Sequence, residues 1–563
     1  APKNIAGKAV PVTPGTSPMI MTLQRTEWAD FILISVTLMT TSVMAAGNGY
    51  YRAAVVELQP LSGKNVAQNV IDMNITYGSY IRTANEQQVD IIVFPEAGLY
   101  GSDYSIFHDI PDPTLKIIPA SNSSYDELVR GLSSYAKQYS MYIVVNLLEK
   151  CTSSGATRKF NTNVVFDRTG AVVARYRKFN LFGEPVDRTP QFEPSYFDSD
   201  FGVRFGQFVG LDILYKEPLQ MMKDYKITDF IYSSEWFSAL PFLTSVQTQW
   251  MFSVGNDVNL LAAGLNRVDR GSSGSGIFRG KNTPIGSLFL FGDEMTNGMV
   301  IGNVSIGGPK NDYSGNGEYT TRIITKPRTF TLLREKELDR MANENIELPS
   351  AGNTTRNFVK QICHGSLCCT FDIKLSYDNP ANKTSVQYKA VVFDGNRTSS
   401  ANNTKFVQGL QVCGLVMCSN GSISSCGPPA VNGTLPNTKT PQPKVIFDSI
   451  VISGNFTNKN SSALPDVLLW PNPPAFPSPP DENSRGEFLI DPRMVNFSSN
   501  GMDGVVSLSL QPNKKIISCG IFSRVYSRDA RSTTSGAQHS FAPFLATLLP
   551  FFTVAFYSRV NAS

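Results

Sequence analysis

Histidine is scarce in this chain. Only His108, His364 and His539 occur in 563 residues, so a histidine-built metal centre has few possible ligands. Charge is sparse too. Charged residues make up 17% of the chain, the net charge is +4, and there is no long basic run. Phosphate-backbone binding needs clustered Lys and Arg, so nucleic acid is excluded as the expected partner. Cysteine is absent from the long interval between Cys151 and Cys363. Methionine is absent from residues 1–18, and Met19 and Met21 are the first candidate starts. Residues 1–18 are therefore set aside as upstream sequence.

What is present points to export. The apolar run "FILISVTLMTTSVMAAGN" (Phe31–Asn48) ends in small residues. It is shorter than the roughly 20 residues that span a bilayer, so residues 19–47 read as a cleavable signal peptide. Asn-X-Ser/Thr sequons run from Asn74 to Asn561 and crowd after residue 350, at Asn353, Asn382, Asn396, Asn402, Asn420 and Asn432. That density fits a glycosylated surface. The cysteines are Cys151, Cys363, Cys368, Cys369, Cys413, Cys418, Cys426 and Cys519. Their even number in an exported chain predicts disulfides, although eight cysteines allow 105 pairings and spacing selects none of them. The run "CHGSLCC" (Cys363–Cys369) is read in the same way, as disulfide cysteines and not zinc ligands.

From residue 50 to about 325 the pattern alternates between apolar strands and helices. "RAAVVEL" (Arg52–Leu58), "DIIVFPE" (Asp90–Glu96) and "YIVVNLLE" (Tyr142–Glu149) are continuous apolar runs, the mark of strands covered on both faces. Asn65–Gln87 and Tyr125–Tyr139 have helical spacing, and "NTNVVFDRTGAVVARYRK" (Asn161–Lys178) reads as a hairpin turning at Asp167–Gly170. An α/β layered core over 48–330 follows. Helical spacing persists through Leu332–Glu344 and then fades into short strand-like runs among sequons and cysteines. Residues 331–525 therefore read as a second, smaller, β-rich, disulfide-containing domain. Residues 526–563 read as a linker and an anchor signal. Small residues at Ser532–Gln538 precede the apolar tail Phe541–Tyr557, the arrangement of a glycosylphosphatidylinositol attachment signal.

Three segments together carry a resemblance. "DIIVFPEAGLYG" (Asp90–Gly101) is a strand ending in Glu96. "RYRKFNLFGEP" (Arg175–Pro185) places Lys178 at the end of a hairpin strand, with Glu184 six residues on. "FGVRFGQFVGLDILYKEP" (Phe201–Pro218) is a buried strand entering a turn at Gly210. These segments, with Glu235–Asn266, Gly271–Phe278 and "CHGSLCC", resemble the vanin and biotinidase branch of the carbon–nitrogen hydrolase (nitrilase) superfamily over roughly residues 50–525. The resemblance implies a four-layer α–β–β–α sandwich and no cofactor or metal. It also implies amide hydrolysis by a cysteine nucleophile, a glutamate base and a lysine that stabilises the tetrahedral intermediate. Carried over by motif, the base is Glu96, the cation is Lys178, and Glu184 is a further acidic residue of the pocket.

The third motif departs from that pattern. Where the family has its cysteine, this chain reads "FVGLDI", with Gly210 at the nucleophile position between Val209 and Leu211. The expectation is a cell-surface glycoprotein without normal amidohydrolase activity, able to hold a pantetheine-like or biotinyl-amide-like small molecule. One alternative is an active pantetheinase- or biotinidase-like amidohydrolase, through a water activated by Glu96 or a cysteine codon one base away. Another is a scaffold whose protein partners the sequence does not name.

Overall fold

Arg52–Leu58 has no polar face because both of its faces are covered. The computed structural model describes residues 49–60, 66–153, 155–288, 294–310, 319–327, 333–350, 354–377, 386–401, 404–427, 444–456, 461–470, 489–499 and 504–533. The strand Tyr50–Glu57 pairs in parallel with Ile91–Val93 and antiparallel with Glu294–Ser305. The same sheet continues through Tyr142–Ser153, Ala156–Phe166 and Val172–Arg177. A second sheet runs through Ser275–Arg279, Asn259–Gly264, Asp229–Ser234 and Arg204–Val209. Ala53, Val55, Ile91, Val93 and Val144 of the first sheet meet Phe205, Ile231, Leu261 and Ile277 of the second in one buried layer. Ala54, Val56, Ile92 and Ile143 point the other way, onto Tyr77, Ile81, Val129 and Leu132 of the helical segments Val66–Glu86 and Glu127–Tyr139. Helices Lys216–Tyr225 and Ser245–Asn256 cover the outer face of the second sheet. This is the four-layer α–β–β–α sandwich that the family resemblance implies.

The helix Ser245–Asn256 is buried from Ser245 to Val254. Its far side is covered by the β-rich part of the chain, where Gly255 meets Leu464 and Pro465. The Gln247 side chain donates to Asp466 and, at 3.3 Å, to Ser518 Oγ. The β-rich part is two stacked sheets. One holds Gln387–Ala401, Thr404–Cys418, Ile516–Val525 and Ser461–Leu469; the other holds Thr355–His364, Leu367–Tyr377, Val445–Asn455 and Val505–Leu510. Inward residues of both, such as Phe371, Ile373, Val412, Ile450 and Ile521, share a core with the second sheet of the sandwich.

Six cysteines pair as Cys363–Cys368, Cys369–Cys413 and Cys418–Cys426. The second bridge ties the two β-rich sheets together. Cys151 and buried Cys519 are unpaired, so the even count does not translate into four bridges. Two further expectations need correction. Of the expected helical stretch Leu332–Glu344, the described residues 333–344 are not α-helical. Leu333–Arg334 pairs with Ala239–Leu240 and Ala342–Asn345 with Lys389–Val392 of the β-rich sheet, with the short 3₁₀ turn Lys336–Arg340 between them, because these ladders take backbone groups a helix would use. The β-rich domain also does not stop at 525. Ala530–Thr533 forms an edge strand on Thr404–Val407, so ordered chain extends into the expected linker. The expected signal peptide and the apolar tail lie outside the described residues. Among the described residues, no helix is long and apolar enough to cross a membrane.

Candidate active site

The carboxylate comes from the end of a strand. After Ile91–Val93 the chain stays in the sheet through a Phe94 N–H bond to Val144 O, then turns at Ala97, whose φ is +59°. Asn146 Oδ1 accepts from Ala97 N at 3.0 Å and holds that turn. Glu96 is thereby aimed into the protein and left only 4% exposed. Its Oε1 accepts from Asn161 Nδ2 at 2.8 Å and from Lys178 Nζ at 2.7 Å. Its Oε2 accepts the Glu235 backbone N–H at 3.0 Å.

The cation comes from the end of the hairpin. Lys178 directly follows the strand Val172–Arg177, and its own N–H bonds Asn161 O at 2.8 Å. Its ammonium contacts Glu96 and Glu184 together, and Glu184 in turn accepts the Phe182 N–H. Burial alone would pull the Lys178 ammonium down. The two carboxylates override that and hold it well above the ordinary lysine range, so it stays charged. Burial pushes the Glu96 carboxyl up, Lys178 opposes this, and the Glu184 charge adds to it. Glu235 is raised to about 7 by burial and by the Glu96 charge, against the pull of Arg267, which it meets at 3.0 Å.

Gly210 is where the second sheet delivers its strand to this pair. It follows Arg204–Val209 and opens the 3₁₀ turn Gly210–Leu214 with φ +53°. Tyr232 donates from its hydroxyl to Gly210 O at 2.9 Å. Asp212 fixes the turn to the lysine segment: it accepts from Val209 N, from Tyr176 Oη at 2.8 Å and from Asn180 N at 2.8 Å. An ideal Cβ built on Gly210 would lie 2.6 Å from Glu96 Oε2 and 2.7 Å from Lys178 Nζ. Any side chain at position 210 would thus project between the carboxylate and the ammonium.

Glu96, Lys178, Glu184 and Gly210 all meet here. Sequence reasoning missed Asn161, Asp212, Tyr232 and Glu235. Asp212 and Glu235 lie inside the quoted motifs, but their parts depend on backbone N–H groups and hydroxyls that no spacing reveals. Among the described residues no group of His, Cys, Asp and Glu is arranged to hold a metal ion. Chemically, the arrangement offers a buried proton acceptor and a permanent cation around one point, with no nucleophilic side chain at that point.

Comparison with known proteins agrees with this geometry. The carbon–nitrogen hydrolase family matches residues 52–239, and the vanin C-terminal domain matches residues 330–529. Vanin-like protein 2 of Drosophila melanogaster is 32% identical over 511 residues, covering 85% of this chain and 90% of that protein. The pantetheinase of Canis lupus familiaris is 29% identical over 504 residues, 83% of this chain and 86% of that protein. The biotinidase of Mus musculus is 29% identical over 432 residues, 67% of this chain and 80% of that protein. The chain belongs to the vanin and biotinidase branch of the carbon–nitrogen hydrolase superfamily.

Proposed function

We propose that this protein is an exported, glycosylated, membrane-anchored member of that branch that has lost covalent amide hydrolysis and keeps the surrounding pocket. The observation that carries the reading is Gly210, whose missing Cβ would sit between Glu96 and Lys178. In the chemistry the family implies, Glu96 takes the thiol proton and later serves a water, while Lys178 steadies the oxyanion of the tetrahedral intermediate. Glycine has no atom to form the thioester, and no cysteine lies between Cys151 and Cys363 to replace it. Losing the nucleophile from catalytic groups that act as a unit costs on the order of a millionfold in turnover, about 8 kcal/mol of transition-state stabilisation.

The pocket's candidate ligands are the amides that its relatives' names point to: pantetheine-like molecules and biotinyl amides. Exposure of Asn74, Asn122, Asn396, Asn420, Asn455 and Asn496 supports the glycosylated reading, and the three disulfides support export. Calorimetric titration of the purified glycoprotein with pantetheine and with biotinyl amides tests the retained pocket. Saturable binding that Glu184→Gln weakens is the expected result. Absence of any binding would reduce the fold to a scaffold, and covalent mass adducts on the unmodified chain would refute the loss of acyl-enzyme chemistry.

A further inference from the structure

Two arginines from different domains each bond a carbonyl of the segment that links Lys178 to Glu184. Arg188 Nε donates to Phe179 O at 2.8 Å, and Arg531 Nη2 donates to Leu181 O at 2.9 Å across a sequence separation of 350 residues. Each guanidinium lies over an aromatic ring: Arg188 Cζ is 3.7 Å from the Phe179 centroid and Arg531 Cζ is 5.0 Å from that of Phe406. Cation–π contact of this kind holds the plane of the guanidinium against the ring. Both residues are exposed. Neither has a carboxylate partner among the described residues.

The nearby acids are already engaged. Glu217 accepts from Asn180, Asp212 from Tyr176 and Asn180, and Asp529 pairs with Arg524 at 2.6 Å. From Ala530 to Ser563 the chain contains no Asp or Glu at all, and Ala401–Thr404 contains none either. Partial burial and the neighbouring Arg531 charge pull the Arg188 guanidinium down, and the Glu217 and Asp212 charges oppose this from a distance without an ion pair to it. Folding therefore assembles two like charges with no carboxylate paired to either among the described residues. We propose that Arg188 and Arg531 form a clamp for a small oxyanion of the phosphate class, taken either as the free ion or as a phosphate monoester. Two planar forks with free donors match the oxygens of such a ligand, which would remove the repulsion between them. The clamp is distinct from the Glu96–Lys178 pair and stands whether or not the protein hydrolyses amides.

The test is calorimetric titration of the full glycosylated chain with inorganic phosphate and with glycerol phosphate, at ionic strength held constant with chloride. Saturable one-to-one binding is expected, weakened at least tenfold by Arg188→Gln and by Arg531→Gln and unchanged by Arg493→Gln, whose partner Asp491 lies in another part of the fold. Arg188→Lys and Arg531→Lys retain the charge without the fork and should bind with intermediate affinity. Tighter binding of the monoester than of the free ion identifies an ester as the occupant; the reverse order identifies free phosphate. Absence of saturable binding, binding that survives both Gln variants, or an equal response to phosphate and chloride would each overturn the clamp.

Discussion

Restoring the thiol by Gly210→Cys sets a modest structural cost against a large chemical gain. The backbone at 210 has φ +53°, which costs a non-glycine residue roughly 1–2 kcal/mol. The new Cβ would meet Glu96 Oε2 at 2.6 Å and Lys178 Nζ at 2.7 Å, so both must retreat by several tenths of an ångström to reach ordinary contact. Both atoms end flexible side chains, although Asn161, Glu184 and the Glu235 N–H hold them in place. Strain of this kind adds roughly 1–3 kcal/mol. The sum is well below the ~8 kcal/mol that a working nucleophile contributes when the rest of the unit is intact. The variant should therefore fold with a melting temperature lowered by several degrees. The introduced thiol at position 210 should be alkylated by iodoacetamide faster than Cys519, which is buried and whose thiol burial pushes far up. Lys178→Met in the Gly210→Cys background should slow that alkylation, because the cation favours the thiolate. Peptide mass spectrometry after timed alkylation gives the rates. If the introduced thiol reacts no faster than Cys519 in a folded variant, the space between Glu96 and Lys178 is not a nucleophile site and the reasoning fails.

Three other predictions concern stability and attachment. Unreduced mass spectrometry should find free thiols at Cys151 and Cys519 alone, and replacing both Cys369 and Cys413 with Ala should cost roughly 2–4 kcal/mol in denaturant unfolding, since that bridge closes a loop with a separation of 44 residues. The Glu235 carboxyl is raised from 4.5 to about 7, so the folded state holds a proton that the unfolded state has released. Its contribution to stability is present below about 4.5 and falls as pH rises to about 7, and Glu235→Gln should flatten unfolding free energy against pH in that window by up to ~1.4 kcal/mol per pH unit. Phosphatidylinositol-specific phospholipase C should release the protein from membranes, and retention after treatment would point to a spanning tail in place of a lipid anchor.

The parts of the site that lie within contiguous motifs were legible in the sequence. Glu96 ends an apolar strand, Lys178 ends a hairpin, and Gly210 follows a buried strand before "LDI"; these places are readable from their neighbours, whereas the roles given to them came from the family resemblance. Asn161 and Glu235 were not, because one reaches Glu96 by a side-chain amide and the other by a backbone N–H. The covered strands gave the α/β layered core correctly because burial on both faces leaves a continuous apolar run, while the four-layer arrangement came from the family resemblance. Leu332–Glu344 misled because its helical spacing competes with a ladder to Lys389–Val392, a pairing fixed by tertiary structure. The edge strand Ala530–Thr533 is short and polar, and its partner Thr404–Val407 lies far away in sequence, so nothing local announces it. The Cys369–Cys413 pairing was likewise invisible, being set by which strands stack.

The most direct measurement of the central claim is turnover of pantetheine and of biotinyl amides by the purified Gly210 protein, run beside Glu96→Gln and Lys178→Met variants prepared identically. The account predicts rates indistinguishable from buffer in all three. Hydrolysis by the Gly210 protein that both variants abolish would contradict it, because it would place working catalysis at Glu96 and Lys178 without a side-chain nucleophile.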